Sequence, residues 1–315
     1  MPIPSLFLDR LQRIVPAARY DAVLHGMTAP RETSFRVNAL RAENSAVRAV
    51  IEEAGIPFHP VPWMADAFRV EPAWREALLA LPAYADRWFY VQNLSSMLPP
   101  LALAPQPGER VLDLAAAPGS KTLQLAAMMR GDGELAAVEP VKPRFMRLKR
   151  NLSENGAPWV RTYLQDGTRV WKHRPEYFDR VLLDAPCSSE GRFHENDPES
   201  YAYWSERKID EMERKQRQLL FSAIQCLRPG GLLVYSTCSL APEENEAVID
   251  RMLRRFEDAL TVEPISPLID EMTDPLAGWN KRTFNPAIAD ARRVLPTVQT
   301  EGFFLCALRK TRSTV

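Results

Sequence analysis

Two of the four cysteines in this 315-residue chain sit where a thiol can react. Cys187 lies in Asp184-Ala185-Pro186-Cys187-Ser188-Ser189-Glu190-Gly191, directly after an apolar run. Cys238 lies in Tyr235-Ser236-Thr237-Cys238-Ser239, directly after another. A free cysteine is usually a small buried hydrophobe, which suits Cys226 and Cys306 in their apolar surroundings. It does not suit a turn rich in Pro, Ser and Thr. There a thiolate acts as a nucleophile once cations or N–H groups lower its pKa. No cysteine belongs to a CxxC pair and no histidine stands at ligand spacing from one, so no metal is expected. A secreted disulfide framework is not expected at this size. Free thiols fit a reducing, cytoplasmic compartment.

A second stretch, Val111–Thr122 (VLDLAAAPGSKT), has the form of a cofactor site. An apolar strand closes on Asp113. A turn of small residues follows, and a helix starts near Ser120. Small residues let a ligand approach the backbone, and the free N–H groups of a first helical turn suit a carboxylate or phosphate. The next strand ends at Glu139, where a carboxylate can accept from both hydroxyls of a ribose. The GxGxxG of dinucleotide sites is absent. A nucleoside cofactor without a pyrophosphate fits better, with S-adenosylmethionine foremost.

These residues need a frame that brings them together. Strand patterns at Arg110–Leu114, Glu134–Val138, Val160–Leu164, Phe178–Leu183 and Gly231–Tyr235 alternate with helical patterns, which predicts a doubly wound α/β sheet. Their ends carry Asp113, Glu139, Asp166, Asp184 and Cys238, and ligands of such sheets sit beyond the carboxyl ends of the strands. All five are expected in one crevice. Ser95 is the expected cap of the preceding helix.

The N-terminal part reads as two short helices, then strand, helix and two strands, with Pro-rich punctuation from Pro72 to Pro82. A small α+β domain over 1–82 and a catalytic domain over 83–315 are expected. The N-terminus is amphipathic and charged rather than a signal peptide, and no apolar run reaches membrane-spanning length. Lys+Arg and Asp+Glu are equal at 40 each, so any nucleic-acid surface must be local. Candidate phosphate-binding clusters are Arg31/Arg36/Arg41, Lys142–Arg150 and Arg169/Lys172/Arg174.

The set DLAAAPGSKT, LLDAPCSSEG, LRPGGLLVYSTCS and PEENE, with FRVN, YVQNLSSML and EGFF, resembles the NOL1/NOP2/Sun family of RNA cytosine-5 methyltransferases over nearly the whole chain. The resemblance implies a Rossmann-like class I S-adenosylmethionine-dependent methyltransferase sheet. It implies that Ala115, Ala116, Ala117, Pro118, Gly119, Ser120 and Lys121 wrap the methionine end and ribose of the cofactor, with Glu139 on the ribose hydroxyls. Arg144 would border the pocket, Asp166 would contact the adenine, and Asp184 would lie between cofactor and base. Cys238 would be the nucleophile and Cys187 would assist product release.

The implied chemistry accounts for these parts. Cytosine C5 is a poor nucleophile until a thiolate adds at C6. An acid at N3, Asp184 if it holds or shares a proton, stabilises the developing charge. The base must leave its stack to be reached. The expected partner is RNA, ribosomal before transfer RNA, bound by a monomer without membrane or metal. The chain stops at Val315 without the further RNA-binding part of larger bacterial members, so RNA selection is expected from the N-terminal domain and the catalytic face. Gln165-Asp166-Gly167 departs slightly from the family pattern. Two other readings are a DNA-type enzyme with Cys187 as nucleophile, and an assembly protein that binds cofactor and RNA without turnover. Ser188 after the first thiol and the unexplained Thr237-Cys238 weigh against the former. The intact Asp184, Cys187 and Cys238 weigh against the latter.

Overall fold

A computed structural model describes residues 3–315. The chain opens with helices α1 (Ser5–Ile14) and α2 (Tyr20–Thr28), strand β1 (Thr33–Val37), helix α3 (Asn44–Glu53) and strands β2 (His59–Val61) and β3 (Met64–Val70). Helices α4 (Arg75–Ala80) and α5 (Pro82–Ala85) and strand β4 (Phe89–Val91) follow. The four strands form an antiparallel sheet in the order β2-β3-β1-β4. Phe35, Phe68 and Phe89 cluster on one face of it with Val47 and Ile51 of α3.

A division at residue 82 cuts through this unit, because β4 pairs with β1 in the register Phe35↔Val91, Arg36↔Tyr90, Val37↔Phe89. The helices α1 and α2 lie outside its core. Their Phe7, Leu11, Ile14, Val23 and Met27 are buried in the core of the large sheet instead. The small sheet's apolar face is already filled by α3, α4 and α5, so the α1 stripe finds its cover elsewhere.

The large sheet begins after α6 (Leu94–Leu103) with β5 (Arg110–Asp113), α7 (Ser120–Met128), β6 (Glu134–Val138), α8 (Lys142–Glu154) and β7 (Arg161–Tyr163). A 3-10 turn (Gly167–Lys172), β8 (Phe178–Asp184), α9 (Glu206–Cys226), β9 (Leu227–Thr237) and α10 (Glu246–Phe256) complete the alternation. The tail adds β10 (Leu260–Glu263), β11 (Met272–Thr273), β12 (Gly278–Trp279), β13 (Arg282–Thr283), β14 (Arg292–Val294) and β15 (Phe303–Lys310). The strand order is β11-β14-β15-β9-β8-β5-β6-β7, with β10 also paired to β15.

From β9 to β7 all neighbours are parallel, and β15 lies antiparallel to β9. The first strand, β5, has β6 on one side and β8 on the other, which places a topological switch point at its carboxyl end. Both faces are apolar. Leu112, Val181, Leu183 and Leu233 face the layer holding α9 and α10, while Val111, Leu182, Leu232 and Val234 face the layer of α6, α7 and α8. Burial on both faces is why these strands read as continuous apolar runs.

The cap of α6 is Asn93, whose side chain accepts from Ser95 N at 2.9 Å, and not Ser95. The Ser95 hydroxyl is turned away to donate to the carbonyl of Glu301 at 2.7 Å.

Candidate active site

A cavity of about 590 Å³ opens at the carboxyl edge of the sheet, beside the switch point. Its walls include Ala115, Ala117, Pro118, Ser120 and Lys121 from the β5–α7 turn. Glu139 and Arg144 come from the β6–α8 connection, and Asp166 from the end of β7. Asp184 and Cys187 follow β8, and Cys238 follows β9. Most of the expected site is therefore brought together.

Three expected residues stand back from the cavity. Ala116 is buried and its N–H donates to Val138 O at 2.9 Å, joining the turn to β6. Gly119 serves the turn: its φ is 108°, and a Cβ there would stand 2.9 Å from Leu148 Cδ1. Asp113 is the one strand-end acid that misses the crevice. It is 1% exposed, accepts from Thr122 Oγ1 at 2.7 Å, and burial pushes its carboxyl up to about 6.

Glu139 is also 1% exposed but keeps an opening to the cavity. One oxygen accepts from Val141 N at 2.9 Å, and the other lies 3.6 Å from Arg144 Nη2. Arg144 in turn donates to Ala117 O at 2.9 Å, tying the first turn to the second. Asp166 is exposed, and one of its oxygens caps the following turn by accepting from Thr168 N at 2.9 Å.

Asp184 is held as an ion pair. Its Oδ2 is 2.7 Å from Lys121 Nζ, and its Oδ1 accepts from Ser236 Oγ at 2.9 Å. Lys121 also donates to Ser96 Oγ at 2.7 Å. Lys121 and Asp184 thus stand together at the cavity wall as a donor and an acceptor in direct contact.

The two thiols meet. Cys187 Sγ and Cys238 Sγ are 3.3 Å apart, both half-buried. The hydrogen bond from Cys187 lowers the pKa of Cys238, and the same contact together with burial raises Cys187 well above the ordinary thiol range. Either sulfur can donate in that contact, and the direction of the two shifts favours Cys238 as the thiolate. Between them Ser189 adopts φ 62°, and its Oγ lies 3.6 Å from Cys238 Sγ. A non-glycine residue in that region stores strain of order 1–3 kcal/mol, and its surroundings must hold it.

That support is a buried polar network not anticipated from the sequence. Glu244 accepts from Ser188 N at 2.9 Å, Ser239 Oγ at 2.7 Å and Gln216 Nε2 at 2.7 Å, and from the Ser188 hydroxyl. Glu190, buried next to Glu244, is pushed up to about 7 by burial and then by that neighbour's charge. Its Oε1 accepts from Trp204 Nε1 at 2.8 Å. The only signal in the sequence was the PEENE and SSEG acids standing beside the thiol turns. Gly191 locks the loop to the tail: its N–H donates to Cys238 O and its carbonyl accepts from Gly302 N. A Cβ at Gly191 would come within 2.1 Å of Gly302 O, so nothing larger fits.

Tyr90, Gln92, Ser96, Arg192, Glu301 and Phe303 also line the cavity without having been anticipated. Arg36, expected at a phosphate, is 2% exposed. It donates to Gln92 Oε1 at 3.0 Å and Ser120 O at 3.1 Å, and burial pushes its guanidinium down to about 10. It binds the small sheet to the start of α7 and cannot reach solvent. Arg41 donates to Glu154 O and Arg31 to Phe193 O, so the expected trio does not form one patch.

Among the described residues no group of three His, Cys, Asp or Glu is placed to hold a metal ion. No helix there is long and apolar enough to cross a membrane.

Comparison with known proteins identifies the family and the fold. The family model described as 16S rRNA methyltransferase RsmB/F matches residues 100–309, and the N-terminal domain of 16S rRNA methyltransferase RsmF matches residues 3–94. The ribosomal RNA small subunit methyltransferase F of Serratia proteamaculans is 35% identical over 99% of this chain and 64% of its own length. That of Shewanella amazonensis is 38% identical over 96% and 63%. The chain thus spans a little under two thirds of these curated relatives. Among solved structures, a methyltransferase homolog protein from Pyrococcus horikoshii superposes with a TM-score of 0.84 at 33% identity, covering 98% of this chain and 95% of that one. NSun6 from the same organism, solved with SFG, shares the fold at a TM-score of 0.82 and 21% identity, over 98% of this chain and 99% of its own.

Proposed function

The chain belongs to the RsmB/F family of 16S rRNA methyltransferases, and from that premise we propose that it methylates C5 of a cytidine in small-subunit ribosomal RNA. The methyl donor is S-adenosylmethionine, and the base is activated by a covalent bond from Cys238 to C6. The single observation that carries this reading is the pair of thiols 3.3 Å apart at the wall of one cavity that also holds the Lys121–Asp184 ion pair.

The cavity suits the donor. Ala115 and Ala117 leave room along the turn, and Glu139 has acceptor capacity left for a ribose diol. Asp166 stands at the far side for the adenine amino group, and Arg144 closes the rim. Bound there, S-adenosylmethionine supplies an electrophilic methyl group.

The rest is done by side chains. The Cys238 thiolate adds to C6, and electron density moves toward C5 and N3. The Lys121–Asp184 unit faces that change and can hold a proton at N3. Once C5 has been methylated, water takes its proton and the C–H electron pair re-forms the C5–C6 double bond. The C6–S bond breaks with its pair returning to Cys238 as thiolate, and the proton at N3 goes back to the Lys121–Asp184 unit. Cys187 keeps its proton through addition and stands next to the departing sulfur, where it can assist release. A DNA-type assignment would need the charge on Cys187, whose pKa is moved the wrong way.

All these groups come from one chain, so a monomer suffices, and a ribosomal substrate places the work in the cytoplasm. The small β2-β3-β1-β4 unit reaches the cavity through Tyr90 of β4, with Gln92 just after that strand, and its proposed role is to contribute RNA contacts there. The test is transfer of a labelled methyl group to unmethylated 16S rRNA, followed by bisulfite sequencing to locate the cytosine. Absence of any 5-methylcytosine, or full activity in Cys238→Ala, would refute the proposal.

A further inference from the structure

A second cleft, of about 550 Å³, lies outside the catalytic cavity between the 3-10 turn Gly167–Lys172, α9 and α10. Six cations line it: Arg169, Lys172, Arg214, Arg217, Arg251 and Arg255. All but the half-buried Arg217 are exposed. Phe221 and Met252 make its apolar floor, and the Arg255 guanidinium lies 4.3 Å over the Phe221 ring. Trp171 and Phe256 brace that ring at 5.6 and 5.8 Å.

Six like charges around one space repel each other. Among the described residues a single acid forms an ion pair with any of them, Glu213 with Arg217 at 3.1 Å. Elsewhere arginines pair readily with acids, as Arg110 and Arg228 do with Asp179. The chain as a whole is neutral, so the excess is local to this cleft. It also adjoins the catalytic cavity through shared elements. Gly167, Lys215 and Leu219 line the cavity, while their neighbours Thr168, Arg214 and Gln218 line the cleft.

We propose that this cleft is a docking track for the phosphodiester backbone of the RNA substrate, engaging phosphates away from the nucleotide held at Cys238. The inference rests on the methyltransferase reading. Guanidinium groups bind phosphate oxygens in pairs. Five of the six cations have no acid paired with them among the described residues, which leaves that capacity for a ligand. The braced aromatic floor keeps Arg255 in place.

The test uses the full chain with Arg214→Gln/Arg251→Gln, two exposed positions without an ion-pair partner. Arg48→Gln/Arg312→Gln serves as a control that removes equal charge elsewhere. Affinity for an unmethylated 16S rRNA transcript is measured across a salt series. Loss of two phosphate contacts makes the slope of log K against log salt shallower by about 1.4. The KM for RNA rises, while kcat at saturating RNA and the affinity for S-adenosylmethionine stay at the parent's values. A slope and KM equal to those of the control double variant overturn the proposal. So does an unchanged RNA affinity with loss of capture by an acidic protein partner. If the parent enzyme methylates no ribosomal RNA, the methyltransferase reading fails by itself, and the salt slope still reports separately on the cleft.

Discussion

Glu139 offers the sharpest measure of how the cavity holds its cofactor. Its carboxylate is buried at 1% exposure and has two protein partners, Val141 N at 2.9 Å and Arg144 at 3.6 Å. A carboxylate has about four lone-pair sites, so capacity for a ribose diol remains. A hydrogen bond to a charged group is worth about 1.5–3 kcal/mol. Glu139→Ala should therefore raise the Kd for S-adenosylmethionine by roughly 10- to 150-fold, at 1.4 kcal/mol per tenfold. Glu139→Gln keeps an acceptor for Val141 but loses the charge, and should fall at the low end. Asp166→Ala sets the scale, because Asp166 is exposed and one of its oxygens is spent on Thr168 N. Its loss should cost under about tenfold, as solvent screens an exposed charge. Isothermal titration calorimetry measures all three, with RNA affinity expected to be unchanged. A Glu139→Ala protein with parental melting temperature and a Kd within about twofold of the parent would refute the assignment. So would an inverted order of Glu139 and Asp166.

Three further outcomes follow from the same geometry. Cys187→Ala should accumulate a protein–RNA species that survives denaturing electrophoresis, while Cys238→Ala should form none even on RNA containing 5-fluorocytosine; the reverse pattern would make Cys187 the nucleophile. Arg293→Met strands the Glu246 carboxylate, now bonded by Arg293 at 2.6 and 2.5 Å with both side chains buried, and should lower unfolding free energy by about 3–5 kcal/mol in denaturant melts. Adding Glu246→Gln should recover part of that loss, and a parental melt for the single variant would contradict the pairing. Burial raises the Glu190 pKa from the ordinary 4.5 to about 7, so its stabilising protonated form is lost as pH rises through that window. Relative to Glu190→Gln the parent should lose about 3 kcal/mol between pH 4.5 and 8, at 1.36 kcal/mol per pKa unit, and a constant gap across that range would show that Glu190 ionises freely.

The central sheet was legible because its parallel strands are buried on both faces and each ends in a polar residue. Leu112 and Val111 point to opposite layers, and both had to be apolar. The thiol turns were legible for a related reason, since a cysteine between Pro and Ser or after Thr is poorly explained as core. Less could be read wherever a distant partner decides. Arg36 looked like a surface cation until Gln92 and the Ser120 carbonyl enclosed it. Asp113 has the local signature of Asp184, but Thr122 takes it inward while Lys121 holds Asp184 at the cavity. The α1 stripe showed an apolar face without saying which core it would join. Glu190 and Glu244 gain their place from the two thiol turns together with Trp204 and Gln216, and no local pattern encodes that meeting.

The antiparallel insertion of β15 beside β9 carries a consequence for synthesis. Thr237, one residue before the reactive thiol, is paired with Phe304, and the register runs on to Leu232↔Arg309. While a nascent chain is still on the ribosome and lacks Phe303–Lys310, β9 is a bare edge with Leu233 and Tyr235 incompletely covered. Helices α1 and α2 emerge first, yet Phe7 of α1 packs against Phe193 and Trp204, which are made far later in the chain. The thiol pair and its cavity can therefore close only after residues 301–310 have been made.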